Sequence, residues 1–149
     1  MIAEPVVDIH AHFFPEEFLQ LIRGGTVDIT FANEAEVKSL YQTADFDTAV
    51  SALSQDAALA VVTRSEQGCW IVSREGTQRV AAFPIERLVD ATGAGDLFAA
   101  GFLFGLARGV DLAAAARLGA LAAAEVIQHL GARPETSLEA LAQQHGLSA

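Results

Sequence analysis

The run Asp90-Ala91-Thr92-Gly93-Ala94-Gly95-Asp96 joins residues that can bind an anion to one that can move a proton. Two glycines flank an alanine, so backbone can approach a ligand closely there. The apolar run at 97–104 predicts a helix that starts from this turn. Amides in a helix's first turn lack intrahelical acceptors, and the helix dipole favours negative charge beside them. A carboxylate is out of place in a site that only binds phosphate. It fits a site where it takes a proton from a hydroxyl while the amides hold the charge developing on a phosphoryl group. The chemistry indicated is phosphoryl transfer to an alcohol. Alone, Gly93-Ala94-Gly95-Asp96 reads equally well as a helix start carrying a stabilising aspartate.

Two further groups of residues could do chemistry. Asn33 followed by Glu36 has the spacing of a capping box, in which each side chain satisfies a backbone amide of the other residue. In Asp8-Ile9-His10-Ala11-His12, a strand would point His10 and His12 to one side, where two imidazoles can chelate a metal ion. The pattern with Phe13-Phe14-Pro15 looks like the first strand of an amidohydrolase metal site, a barrel of typically ~250 residues. His129 and His145 stand far away at helix ends, so a strand end with two uncoordinated histidines is the favoured reading.

These residues need a scaffold. Strands are expected at 5–9, 26–32 and 59–63, the last buried on both faces, and a hairpin from 70–73 and 78–82. Helices are expected at 15–23, 33–41, 46–53, 95–107, 111–129 and 137–144. The helix at 95–107 is apolar almost all round, which predicts burial on most sides. Alternating strands and helices indicate an α/β domain with a mostly parallel sheet flanked by helices, and ligands bind beyond the carboxyl ends of such strands. Asn33, Thr63 and the glycine turn all fall at expected strand ends.

Composition narrows the function. The chain has 149 residues, 52% of them hydrophobic, enough for one domain with a core. A net charge of −10, with 9 Lys+Arg against 19 Asp+Glu, argues against nucleic-acid binding. One cysteine, Cys69, suits a reducing compartment, and no apolar run reaches transmembrane length, so a cytoplasmic setting without membrane partners is expected. No Gly-x-x-x-x-Gly-Lys-Ser/Thr sequence is present, which argues against a P-loop enzyme.

Residues 90–104 resemble the C-terminal signature of the PfkB (ribokinase-like) family of sugar and nucleoside kinases, Asp-x-Thr-Gly-Ala-Gly-Asp followed by a small, apolar helix. Asn33-Glu34-Ala35-Glu36 resembles the family's Asn-x-x-Glu motif, and Val61-Val62-Thr63 with Gly68 its nucleotide-binding strand and turn. Residues 119–124 resemble the helix flanking the adenine, and Gly131-Ala132 the turn after it. The wording at 31–36 and 62–65 leans toward the adenosine kinase-like branch.

The resemblance implies a partial ribokinase-like fold, with 1–17 an atypical N-terminal segment and 18–149 the C-terminal part of a kinase domain. It implies ATP and Mg²⁺ as cofactors and a sugar or nucleoside acceptor. Asp96 would be the general base, and the amides of Gly93, Ala94 and Gly95 the anion hole. Asn33, Glu36, Thr63, Gly68, Ala120 and Ala124 would lie along the nucleotide, with Glu36 also organising the water shell of Mg²⁺. Asp90 and Thr92 resemble positions that in some members help hold a monovalent cation such as K⁺. Ser65 departs from the pattern, which usually has glycine two residues after the threonine. Family members are about twice as long, and their additional part carries most acceptor contacts and a small β lid. Activity of this chain alone is therefore left open, beside a non-catalytic nucleotide-binding module and a His10/His12 metal hydrolase. Self-association, or a partner supplying the rest of the domain, is expected to go with an exposed sheet edge.

Overall fold

The computed structural model describes residues 7–8, 15–25 and 27–147, which divide into two compact units. The first runs to Arg64 and includes Cys69–Arg79. It holds a five-stranded sheet in the order β1(Val7–Asp8), β2(Ile29–Asn33), β3(Ala60–Thr63), β4(Cys69–Ser73) and β5(Gly76–Val80), of which Val80 itself belongs to the second unit. β1, β2 and β3 are parallel, and β4 runs antiparallel to β3. Parallel neighbours need crossovers. α1(Pro15–Arg23) makes the first, and α2(Glu34–Leu40) with α3(Phe46–Asp56) the second. β2 starts at Ile29, later than expected, and its pairing with β3 begins at Thr30↔Ala60.

Apolar residues on these helices and strands build the first core, which includes Ile22, Val37, Leu53, Val62 and Val72. As expected, β3 is buried on both faces, with Ala60, Val61 and Val62 all at 0% exposure. α3 continues a turn beyond its expected end. Asp56 in that added turn accepts from Arg23 Nε (3.0 Å) and Tyr41 Oη (3.0 Å), partners that a local sequence window does not contain. Burial and this bond to Asp56 push the Tyr41 hydroxyl above the usual tyrosine range.

The second unit comprises Ser65–Gly68 and the chain from Val80 onward. It is built from α4(Ala94–Ala107), α5(Leu112–Val126) and α6(Leu138–Gln144). α4 and α5 cross closely enough that a Cβ on Gly119 would lie 2.6 Å from the Phe98 carbonyl oxygen, and one on Gly101 2.8 Å from the Gly119 Cα. The expected burial of α4 on most sides holds only in part. Phe98, Ala99, Phe102 and Gly105 are buried, but Phe104 is 48% exposed. Apolar composition reports a helix's affinity for cover, not how many neighbours supply it. α5 stops at Val126, short of the expected 129, and the Ile127 carbonyl accepts from the Val89 (2.8 Å) and Asp90 (3.2 Å) amides.

Candidate active site

The glycine turn lies in the second unit, where the irregular segment after β5 meets the start of α4. Gly93 is the N-cap of α4, with φ +77° and ψ 1°. A side chain is excluded there twice. The left-handed backbone disfavours L-residues, and a Cβ would sit 2.6 Å from the Ala132 Cβ. Ala94, Gly95 and Asp96 form the first turn. The Ala94 amide donates to the Ala91 carbonyl (3.2 Å), and the Leu97 amide closes the first helical bond to the Gly93 carbonyl (2.9 Å). Helix geometry gives the Gly95 amide no i−4 carbonyl, and Asp96 is exposed beside it. Amide, positive helix end and carboxylate thus stand together on one exposed turn.

Asp90 fastens this turn. Its Oδ1 accepts from the Thr92 amide (2.9 Å) and its Oδ2 from the Gly131 amide (3.0 Å). Bonding from Thr92 and from the Gly131 amide brings its carboxyl down to about 2. Gly131 and Ala132 belong to the segment after α5, so this segment touches the turn at Asp90 and at Gly93.

Glu125 holds the same segment from its other end, a residue that reasoning from sequence passed over. Its Oε1 accepts from the Glu135 amide (2.9 Å), the Thr136 amide (3.0 Å) and the Thr136 hydroxyl (2.8 Å), and its Oε2 lies 3.2 Å from His129 Nε2. Burial would raise this carboxyl, but the bonds from Thr136, His129 and Glu135 outweigh it and hold it below the usual glutamate range. The visible signal is one carboxylate in the last turn of an alanine-rich helix. Of the adenine-flanking positions on α5, Ala120 is half-buried and Ala124 is buried.

In the first unit, Asn33 and Thr63 are register partners at the carboxyl ends of β2 and β3. The capping box is complete: the Glu36 amide donates to Asn33 Oδ1 (2.9 Å) and the Asn33 amide to Glu36 Oε2 (2.8 Å). The strand end is braced by Arg64, whose Nε reaches Glu34 Oε2 (2.8 Å) and whose guanidinium lies 3.9 Å from the Phe46 ring centroid. Lys38 is engaged by the other Glu34 oxygen (2.7 Å).

Ser65 and Gly68 fall in the second unit, in and just after a short 3-10 turn, Ser65–Gln67. Ser65 adopts φ +50°, so the conformation that glycine favours is kept with a side chain attached. Gly68 has φ +85°, and a Cβ there would fall 2.0 Å from the Val80 carbonyl oxygen, so local packing already requires glycine. His10, His12 and the Asp8 side chain lie outside the described residues. Among the described residues no cluster of three or more His, Cys, Asp or Glu is arranged to hold a metal ion, and no helix is long and apolar enough to cross a membrane.

Comparison with known proteins bears directly on this geometry. The chain is 36% identical over 107 residues to an uncharacterized sugar kinase of Archaeoglobus fulgidus, covering 70% of this chain and 42% of that protein. The solved adenosine kinase of Sinorhizobium meliloti is 50% identical with a TM-score of 0.86, covering 89% of this chain and 40% of that one. A ribokinase of Arabidopsis thaliana, solved with ribose and ATP, is 26% identical with a TM-score of 0.68, covering 76% and 38%. The fold is therefore ribokinase-like, and the chain spans about two fifths of the length of these relatives. The sequence pattern described as pfkB family carbohydrate kinase matches residues 6–139, and with the glycine turn, capping box and strand ends in place, the chain belongs to that family.

Proposed function

We propose that this chain carries the phosphate side of an ATP-dependent kinase that phosphorylates a hydroxyl of a sugar or nucleoside. The observation that carries this reading is the start of α4, where Gly93 caps the helix and Asp96 occupies its first turn. In this reading Asp96 takes the proton of the acceptor hydroxyl as its oxygen attacks the γ-phosphorus, and the phosphoryl group leaves ADP. The Gly93 and Gly95 amides and the helix dipole stabilise the charge on the phosphoryl oxygens. Ala94 contributes through its place in the turn, since its amide is already given to Ala91. Such transfer needs positioning and charge stabilisation more than covalent chemistry.

In this reading the nucleotide-contacting residues are Asn33 and Thr63 in the first unit and Gly68, Ala120 and Ala124 in the second, with Ala120 more accessible than Ala124. Mg²⁺ keeps most of its water and needs only one or two carboxylates beside the phosphates. Glu36 suits an outer role of this kind, because only its Oε2 is committed to the capping box. When bound, Mg²⁺ would neutralise phosphate charge. Asp90 accepts one backbone amide on each oxygen, which orders the turn and leaves a further lone pair on each for a monovalent cation such as K⁺, with Thr92 beside it. The lone Cys69 is buried, and burial pushes its thiol up to about 11, which keeps it unreactive; a single cysteine suits the reducing, cytoplasmic setting of this reading.

Residues 18–149 form the C-terminal part of the kinase domain in this reading, with 1–17 set apart. The acceptor side corresponds to the three fifths of the relatives that this chain does not span, and further polypeptide or a partner chain would supply it. Coupled turnover of ribose, fructose and adenosine with MgATP tests the proposal. Asp96→Asn is expected to lower turnover roughly 10²–10⁴-fold while nucleotide still binds. An Asp96→Asn protein as fast as its parent would sink the base assignment. ATP binding without turnover of any acceptor favours the non-catalytic nucleotide module.

A further inference from the structure

Glu125 presents a physical problem that its surroundings answer. It is 8% exposed, on a helix whose neighbouring Ala124 and Val126 are buried at 6% and 0%. A carboxylate in such a place is costly unless every lone pair finds a donor, and an apolar residue would serve helix packing better. All of its donors come from one short stretch, His129, Glu135 and Thr136. Between them lie Gly131, whose amide binds Asp90, and Ala132, whose methyl would be 2.6 Å from any Cβ on Gly93. The segment is thus closed on Glu125 from both ends, and its middle is applied to the two residues that shape the glycine turn.

We propose that Glu125 is a positioning residue for the phosphate-binding turn. It draws 129–136 into one conformation, so that Gly131 and Ala132 fix Asp90 and Gly93 and, through them, the orientation of the first amides of α4. The functional part of this inference rests on the kinase reading; the mechanical part does not. Glu125→Gln keeps an oxygen for the Glu135 and Thr136 donors, whereas Glu125→Ala removes it. Thr136→Val deletes only the 2.8 Å hydroxyl bond and serves if the alanine variant does not fold.

The test is NMR-detected hydrogen exchange of three hydrogen-bonded amides, Gly131, Ala94 and Leu97, with ADP binding measured by calorimetry on the same proteins. In Glu125→Ala these amides are expected to exchange about tenfold faster, and the ADP dissociation constant to rise about tenfold, roughly the weight of one lost hydrogen bond to a charged group. The α4 and α5 interior amides should keep their protection, Thr136→Val should shift the same three amides less, and Glu125→Gln should return close to the parent. Unchanged exchange at the three amides in a folded Glu125→Ala protein overturns the proposal. So does a uniform loss of protection across α4 and α5, which would make Glu125 merely structural. A parent that binds no ADP refutes the kinase reading, and the exchange comparison then still decides whether Glu125 positions the turn.

Discussion

Gly93 and Gly95 stand two residues apart in one turn, yet alanine should have opposite effects at the two positions. At Gly93 the φ of +77° makes an L-residue cost about 1–2 kcal/mol. The new Cβ would also lie 2.6 Å from the Ala132 Cβ, well inside contact distance, and overpacking of this kind costs about 1–3 kcal/mol. Restricting the unfolded chain returns about 0.4–1 kcal/mol. Gly93→Ala should therefore destabilise by a net of about 1–4.5 kcal/mol. At Gly95 nothing lies within 4 Å of the place a Cβ would take and φ is not left-handed, so Gly95→Ala should be neutral or stabilise by up to about 1 kcal/mol. Urea unfolding with an unchanged m-value measures both. Adding Ala132→Gly to Gly93→Ala should recover the steric share but not the dihedral share, a coupling of at least about 1 kcal/mol in a double-mutant cycle. A Gly93→Ala protein within about 0.5 kcal/mol of its parent, or zero coupling with Ala132→Gly, would refute the account of how this turn is shaped.

Ser65→Gly should stabilise the protein by roughly 0.5–1 kcal/mol, because the serine holds φ +50° without the freedom of glycine; a lowered urea midpoint would contradict this. Asp90 should titrate near 2 by carboxyl-carbon NMR. Its folded value is depressed, so its contribution to stability is present above its ordinary value and is lost as pH falls through about 2. Asp90→Asn should remove that acid dependence, and an Asp90 midpoint at the ordinary carboxylate value would mean the Thr92 and Gly131 bonds do not persist in solution.

What was legible in the sequence lay close together along it. The capping box of Asn33 and Glu36 joins residues three apart, so spacing alone disclosed it. The start of α4 at the glycine turn, the burial of β3 and the span of α6 were equally local. The family signature was readable for the same reason, since the turn Gly93-Ala94-Gly95-Asp96 carries its amides and carboxylate within one helical turn.

Contacts between distant segments were not legible. α3 extends to Asp56 because Arg23 and Tyr41 come to meet it, and the Ile127 carbonyl beyond α5 is taken by Val89 and Asp90. Glu125 gives no local sign of its role in an alanine-rich helix, because its donors at 135 and 136 come from a later segment that folds back onto it. Residue types and near spacing by themselves determined which turn could hold a phosphoryl group and which carboxylate could take a proton. Tertiary structure alone decided what fixes that turn in place, because a hydrogen bond or a methyl contact depends on distance in space, and the chain brings Gly131 and Ala132 back to Asp90 and Gly93 from some forty residues away.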